Sequence, residues 1–437
     1  MQNDRPKVLM LGWEFPPVIN GGLGVACHDL AAAMSDHAEI TMVIPKGSPG
    51  FRMRNLQLVG VNHIDVSKLD PGSSQAKTFL PYELHEVMAD LDPYYTELSD
   101  PVRGANSASY FSGYGSYLHR DANEPFEIES LYSGNIIEKV LHFAEIVTAY
   151  IDAVDFEIIH AHDWMTMIAG MMIKKKTGKP LVVHIHSLEV DRGGTDSKGW
   201  VYQLEKKGMQ AADLILPVSN FTADNIVQYY EIPREKLQVV HNGTRPVKGY
   251  RSEKPYPEKT VIFVGRLTRQ KGPEKFLEIA ARVLQKQSDV RFVMAGVGDF
   301  FKKALEDSSF KGIGNRFHLT GFLNTEQLGY LFSVSDVYCM PSVSEPFGLS
   351  AVEAAQFGLP CVISKQSGVA EVLGGALTFD FWDINKAADY IIKLLNDDVL
   401  RQQSVEAAFR SLDQISWELS AQKVMRAYAS LGVLQSS

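Results

Sequence analysis

Two stretches in the second half of the chain gather residue types suited to a leaving phosphate. In Val264-Gly-Arg-Leu-Thr-Arg-Gln-Lys-Gly272 an apolar run ends at Gly265, Arg266 follows at its tip, and Lys271 precedes Pro273 by two positions. Proline is favoured in the first turn of a helix, so the segment reads as strand, cationic loop and helix start. Two fixed cations at one strand end suit a diphosphate leaving group whose charge grows as its bond breaks. The same residues also fit an ordinary surface loop. The second stretch is Ser342-Val-Ser-Glu-Pro-Phe-Gly-Leu-Ser-Ala-Val-Glu353. A strand gives way to a loop holding Glu345 and Pro346, and a helix starts near Gly348. The amides of Phe347, Gly348 and Leu349 then face outward at a positive dipole end, and glycine lets a phosphate approach the backbone. Proline keeps the residue before it extended, so Glu345 is a loop carboxylate while Glu353 lies further along the helix. A carboxylate can accept both hydroxyl protons of a ribose. The plainer reading of Glu353 is an early-helix acid favoured by the dipole.

The first half carries weaker signals. Gly12-Trp-Glu-Phe-Pro-Pro17 leads into Asn20-Gly-Gly-Leu-Gly24, where Gly22 and Gly24 make an anion-friendly turn at a helix start. His160-Ala-His-Asp-Trp164 follows a short strand, and its His and Asp could equally tie down a loop. In Val182-Val-His-Ile-His-Ser187 strand alternation puts His184 and His186 on one face, with His186 at the tip and nearer any cleft. Asp90-Leu-Asp92 has the form of a metal-binding pair but follows no strand. No four-ligand cluster is evident elsewhere, so no metal is expected. Arg266, Lys271 and a helix dipole can supply the electrostatics of a divalent ion.

Strands alternating with helices must position these groups. Apolar runs at 7–12, 39–44, 158–160, 181–186, 214–218 and 237–241 are separated by helical stretches such as 25–35, 136–154 and 223–230. That rhythm predicts a parallel sheet with crossover helices. Residues 81–130, rich in Tyr, Ser, Asp and Gly, interrupt it and read as an insertion. The aperiodic, proline-rich stretch 244–259 reads as an inter-domain linker. Strands at 260–265, 291–295, 316–320, 337–340 and 360–364 then restart the pattern. The predicted organisation is an α/β chain of two Rossmann-like domains, 1–243 and 260–415, facing across a cleft. A terminal helical segment, 416–437, could join either. In open sheets of this kind ligands bind at the carboxyl ends of the strands.

Composition bounds the remaining choices. The chain has 437 residues, 45% hydrophobic and 22% charged, with a net charge of −9. A general nucleic-acid binder needs a basic face, so no nucleic-acid partner is expected. The one dense basic run, Lys174, Lys175, Lys176 and Lys179, reads as a solvated helix end stopped by Gly178. Cys27, Cys339 and Cys361 are too few and too scattered for a disulfide framework. They fit a reducing compartment, and cytoplasm is the expected location. No run of about 18 apolar residues exists, so no membrane span is expected.

Taken together the motifs resemble those of the retaining nucleotide-sugar glycosyltransferases of family 4 (group 1), which have the GT-B fold. That family shares the G-R-L-x-x-x-K-G opening and the E-P-F-G-x-x-x-x-E signature. The resemblance runs from Val8 to about Trp417. The segments Trp-Glu-Phe-Pro-Pro, Gly-Gly-Leu-Gly and His-Ala-His-Asp-Trp look most like bacterial glycogen-synthase-like members. It implies that Arg266 and Lys271 grip the diphosphate behind Gly265, that Glu345 and His162 attend the donor sugar, and that Glu353 holds the ribose. Phe347, Gly348 and Leu349 would cradle phosphate, and the loop carrying Phe322 and Leu323 would lie against the base. His186 and Trp164 are acceptor-side candidates. Glucose from ADP- or UDP-glucose would pass to an α-glucan or oligosaccharide, with no cofactor beyond the donor. Val18-Ile19-Asn20 stands where classical bacterial glycogen and starch synthases carry a lysine before Gly-Gly-Leu, which leaves the base of the donor open. Three rivals share the motifs or the fold: a transferase with a small acceptor, a non-catalytic carbohydrate-binding protein and a nucleotide-sugar epimerase. The tyrosines of 81–130, among them Tyr94, Tyr110 and Tyr117, could line an oligosaccharide groove or simply pack.

Overall fold

The computed structural model describes residues 5–18, 21–66, 69, 126, 131–132, 136–245, 247 and 251–433. Most of 81–130, with Asp90, Asp92 and the tyrosines named above, lies outside them.

The first sheet is built from β1 (Lys7–Leu11), β2 (Glu39–Ile44), β3 (Leu56–Gly60), β4 (Ile158–His162), β5 (Leu181–Ile185) and β6 (Leu214–Pro217). The helices of this half are α1 (Gly22–Met34), α2 (Ile136–Tyr150), α3 (Trp164–Thr177), α4 (Glu189–Gly193), α5 (Trp200–Ala211) and α6 (Asn220–Tyr230). The strands run parallel in the order β3-β2-β1-β4-β5-β6. Every residue of β4, β5 and β6 is buried. A parallel sheet covered on both faces reads as unbroken apolar runs, which is why these strands were legible.

The second sheet comprises β7 (Lys259–Val264), β8 (Val290–Ala295), β9 (Phe317–Gly321), β10 (Val337–Met340), β11 (Cys361–Ser364) and β12 (Leu377–Phe379). Its helices are α7 (Pro273–Lys286), α8 (Phe301–Phe310), α9 (Thr325–Val334), α10 (Leu349–Gln356), α11 (Ile384–Asn396) and α12 (Asp398–Leu412), and α13 (Trp417–Ser430) ends the described chain. The order is β12-β11-β10-β7-β8-β9, again parallel. Each half is therefore a doubly wound Rossmann-like sheet, and the order reverses beside its first strand: at β1/β4 and at β7/β10.

Three features depart from the sequence pattern. Residues 237–241 do not form a full strand; they bridge once to β6, through Ile215 and Leu237. Pro217, at the end of β6, has no N–H with which to extend the ladder. The edge strands β3 and β12 escape the pattern because they are short and only partly apolar. Finally, α13 returns to the first half, where Trp417, Ala421, Val424, Ala427 and Tyr428 pack with Val8, Met10, Leu30 and Met34 in one buried cluster. The chain thus crosses between the halves twice at one point. There Thr244 N–H donates to Ile415 O at 3.2 Å. A Cβ on neighbouring Gly243 would lie 2.1 Å from the Trp417 nitrogen, so only glycine fits that crossing.

The basic run closes α3. Gly178 adopts φ 69°, and its N–H meets Lys174 O at 2.8 Å. Lys174 and Lys176 pair with Asp213 and Asp152, each at 2.7 Å.

Candidate active site

Both switch points carry the sequence motifs. Gly265 and Arg266 leave β7, and the loop 341–348 leaves β10, its hydrogen-bonded neighbour. The two loops are knitted together. Val343 N–H donates to Gln270 O at 2.8 Å. Gly272, at φ 67°, presses on Pro341, where a Cβ would sit 2.2 Å from the carbonyl oxygen. Lys271 Nζ consequently reaches Glu345 Oε2 at 2.5 Å. The Glu345 carboxylate is buried, with Ser342 Oγ as a longer partner at 3.4 Å. Its backbone is pinned on both sides: Glu345 N–H donates to Gln366 O at 2.8 Å, and Glu345 O accepts from Gly368 N–H at 2.9 Å.

Gly348 is the N-cap of α10, at φ 109°. A Cβ there would come within 3.0 Å of both Met340 Cε and Val369 Cγ1, so the helix start is closed to larger residues. Phe347 is buried behind it, and Leu349 is half-buried at the first helical position. Glu353 lies one turn on, half-buried, and burial pushes its carboxyl up to about 7. Arg266 is exposed at the β7 tip. Phe322 is 76% exposed just past β9, with Leu323 half-buried beside it.

In the first half Gly22 begins α1 in the open, with no atom within 4 Å of where its Cβ would be, and Gly24 is buried one position beyond Leu23. Four histidines stack face to face along β4 and β5. His160 and His162 have ring centroids 4.5 Å apart, as have His184 and His186. Across the strands His162 Nδ1 meets His186 Nε2 at 2.9 Å, and His160 Nε2 meets His184 Nδ1 at 3.2 Å. Tyr428 of α13 closes the inner end, its hydroxyl 2.6 Å from His160 Nδ1. Burial holds all four rings neutral, His160 and His186 down at about 3. His162 is wholly buried and His186, at the strand tip, half-buried. Asp163 begins α3 with φ 57°, and its Oδ1 accepts from His186 N–H at 2.7 Å. Burial lifts its carboxyl to about 7. Trp164 packs edge-on against Trp200 in the first core, centroids 5.9 Å apart.

The two halves meet at the motif loops, through residues to which the motifs gave no role. Ser344 donates to buried Asp191 of α4 at 2.5 Å. Ser219, the N-cap of α6, donates to Pro346 O at 2.6 Å. Glu371 caps the same helix from the other half, accepting from Phe221 N–H at 2.7 Å, Asn220 N–H at 2.9 Å and His241 Nε2 at 2.9 Å. Glu14 is buried and hydrogen-bonded to the Tyr132 hydroxyl. Burial, then the Glu14 carboxylate, push that phenol's acidity down, while the charge of Arg266 pulls the other way. Arg266 thus faces the first half across the cleft. The one sequence hint for these contacts was placement: Glu14 and Ser344 sit inside the motif segments, and the others are ordinary residues of helices, helix ends and loops.

Two Rossmann-like sheets joined through their strand-end loops, with cations and a helix N-terminus at one switch point, define a GT-B nucleotide-sugar-dependent glycosyltransferase. Residues 250–411 match the family described as Glycosyl transferases group 1, and residues 114–247 match Glycosyltransferase Family 4. The chain belongs to this family. An uncharacterized glycosyltransferase of Methanocaldococcus jannaschii is 26% identical, covering 97% of each chain. The alpha-maltose-1-phosphate synthase of Mycolicibacterium smegmatis is 25% identical over 97% of this chain and 98% of its own. Among solved structures, sucrose-phosphate synthase from Thermosynechococcus elongatus superposes with a TM-score of 0.69 at 16% identity, over 98% of this chain and 99% of that one. Anabaena Alr3699/HepE, in complex with UDP and glucose, gives 0.64 at 15% identity, over 98% and 100%. No helix among the described residues is long and apolar enough to cross a membrane.

Proposed function

We propose that this chain transfers glucose from ADP- or UDP-glucose to an α-glucan or oligosaccharide acceptor, with retention at the anomeric carbon. The Lys271–Glu345 pair, set beside the open start of α10, carries the reading. Arg266, Lys271 and the amides at Gly348 and Leu349 receive the diphosphate as negative charge builds on it. Glu353 takes the ribose hydroxyls, and Phe322 with Leu323 borders the base. The anomeric carbon gains oxocarbenium character, and the acceptor oxygen attacks from the face the diphosphate leaves. The departing phosphate oxygen takes the acceptor's proton, so no protein nucleophile is required. Glu345 and His162 position the sugar, while His186 and Trp164 lie on the acceptor side. Closure of the halves, joined by Ser344–Asp191 and Glu371–Asn220, excludes water.

The Mycolicibacterium relative, by its name, makes a phosphorylated disaccharide. That favours a second reading, transfer to a small sugar phosphate. Nucleotide release from ADP-, UDP- and GDP-sugars, with and without a maltooligosaccharide or glycogen primer, separates the two. Primer-stimulated release from ADP- or UDP-glucose with lengthened chains is the expected result. Release that ignores primer and responds to a sugar phosphate establishes the second reading instead.

A further inference from the structure

We infer that Cys27, His162 and His186 form a binding site for a thiophilic divalent metal ion, zinc being the natural candidate. The three come from separate elements, α1, the end of β4 and the turn after β5. One ligand atom from each lies within 4.8 Å of the other two. One sulfur and two imidazole nitrogens make a donor set that zinc prefers over the oxygen-seeking magnesium and calcium. The site shares His162 and His186 with the sugar-facing side proposed above, and lies in the other half from the Arg266–Lys271 grip.

The geometry calls for little rearrangement. His162 Nδ1 and His186 Nε2 face each other at 2.9 Å across a shared proton. Two nitrogens on one tetrahedral zinc, each at about 2.1 Å, stand roughly 3.4 Å apart, so the rings must open by about half an ångström. The shared proton then moves to an outer nitrogen. His162 Nε2 and His186 Nδ1 are both buried without a hydrogen-bond partner among the described residues. Two neutral rings carry two protons, so one of those outer nitrogens is a bare lone pair able to take it. The Cys27 thiol releases its own proton to solvent, leaving the thiolate on the metal. Water supplies the fourth ligand.

The other close triad, His160, His162 and His184, has no thiol. His160 there is already committed to Tyr428 and His184.

Titration of the full chain with Co2+ tests the site. One equivalent should bring in a thiolate-to-cobalt charge-transfer band, and Zn2+ should bleach it. The band should persist in a Cys339→Ala/Cys361→Ala variant and vanish in Cys27→Ala. His186→Asn, at a half-buried position, should weaken Co2+ binding at least tenfold while the circular-dichroism melt stays unchanged. No band in the wild type, a band that survives Cys27→Ala, or unchanged affinity in His186→Asn overturns the proposal.

Discussion

Lys271 Nζ lies 2.5 Å from Glu345 Oε2, a contact that joins the loop after β7 to the loop after β10 across 74 residues of sequence. The lysine side chain is partly open to the cleft, and the carboxylate beneath it is buried. The pair therefore holds the cation where a leaving diphosphate is proposed to arrive. Lys271→Ala should lower kcat by about a hundredfold or more, the usual scale for losing one preorganised charge. The buried Glu345 then loses its main partner, at a cost of about 1–3 kcal/mol. Steady-state kinetics with a thermal melt check both effects; unchanged turnover in the folded variant removes Lys271 from the chemistry.

Glu371 reaches across the halves to cap α6. Burial works to raise its carboxyl, but the bonds from His241, Asn220 and Phe221 outweigh it and hold the value below the usual 4.5. A depressed carboxyl contributes stability in full above its unfolded value, and loses it as pH falls through the folded one. Glu371→Ala should cost about 2 kcal/mol at neutral pH. It should also loosen the closed arrangement, raising the radius of gyration in small-angle scattering. An unchanged melt and scattering profile would mean the contact carries no load.

Glu353 has the opposite sign, since burial lifts it to about 7. Only its ionised form can accept both ribose hydroxyls. Donor KM should therefore rise as pH falls below about 7, approaching tenfold per unit. Glu353→Gln should bind donor weakly and show a flat profile. A wild-type KM that is constant from pH 8 to 6 refutes the ribose role.

The histidine ladder predicts acid lability. Its rings are held far below the ordinary 6.5 by burial, two of them at about 3. The unfolded chain binds those protons and the folded one does not, so stability is complete above about 6.5 and falls as pH drops toward 3. By linkage each ring withdraws about 2 kcal/mol by pH 5. Urea unfolding at pH 7, 6 and 5 should show a steep decline, reduced in His160→Asn. A decline no steeper than in that variant would mean the ring is not kept neutral by the fold.

Much of the fold was open to reading because its central strands are short, continuous apolar runs and its helices follow glycine or proline signals. The β7 and β10 loops stood out for the same reason: Gly265, Gly272, Pro273, Pro346 and Gly348 punctuate them, and the charges between have no apolar pattern to hide in. The cross-domain partners were illegible. Asp191, Ser219 and Glu371 are ordinary polar loop and helix-end residues, and their roles depend on what the other half places opposite them.

Local sequence thus determined which strand ends carry cations, carboxylates and an open helix start, because turns and caps are set by neighbours along the chain. Tertiary structure decided which of these meet. Sheet order puts β7 beside β10, and so Lys271 against Glu345. It also puts β4 beside β5, which stacks four histidines, of which the sequence placed only His184 and His186 on a shared face. The return of α13 to the first half, sealing that stack with Tyr428, depended on long-range packing of an amphipathic face that either half could have received.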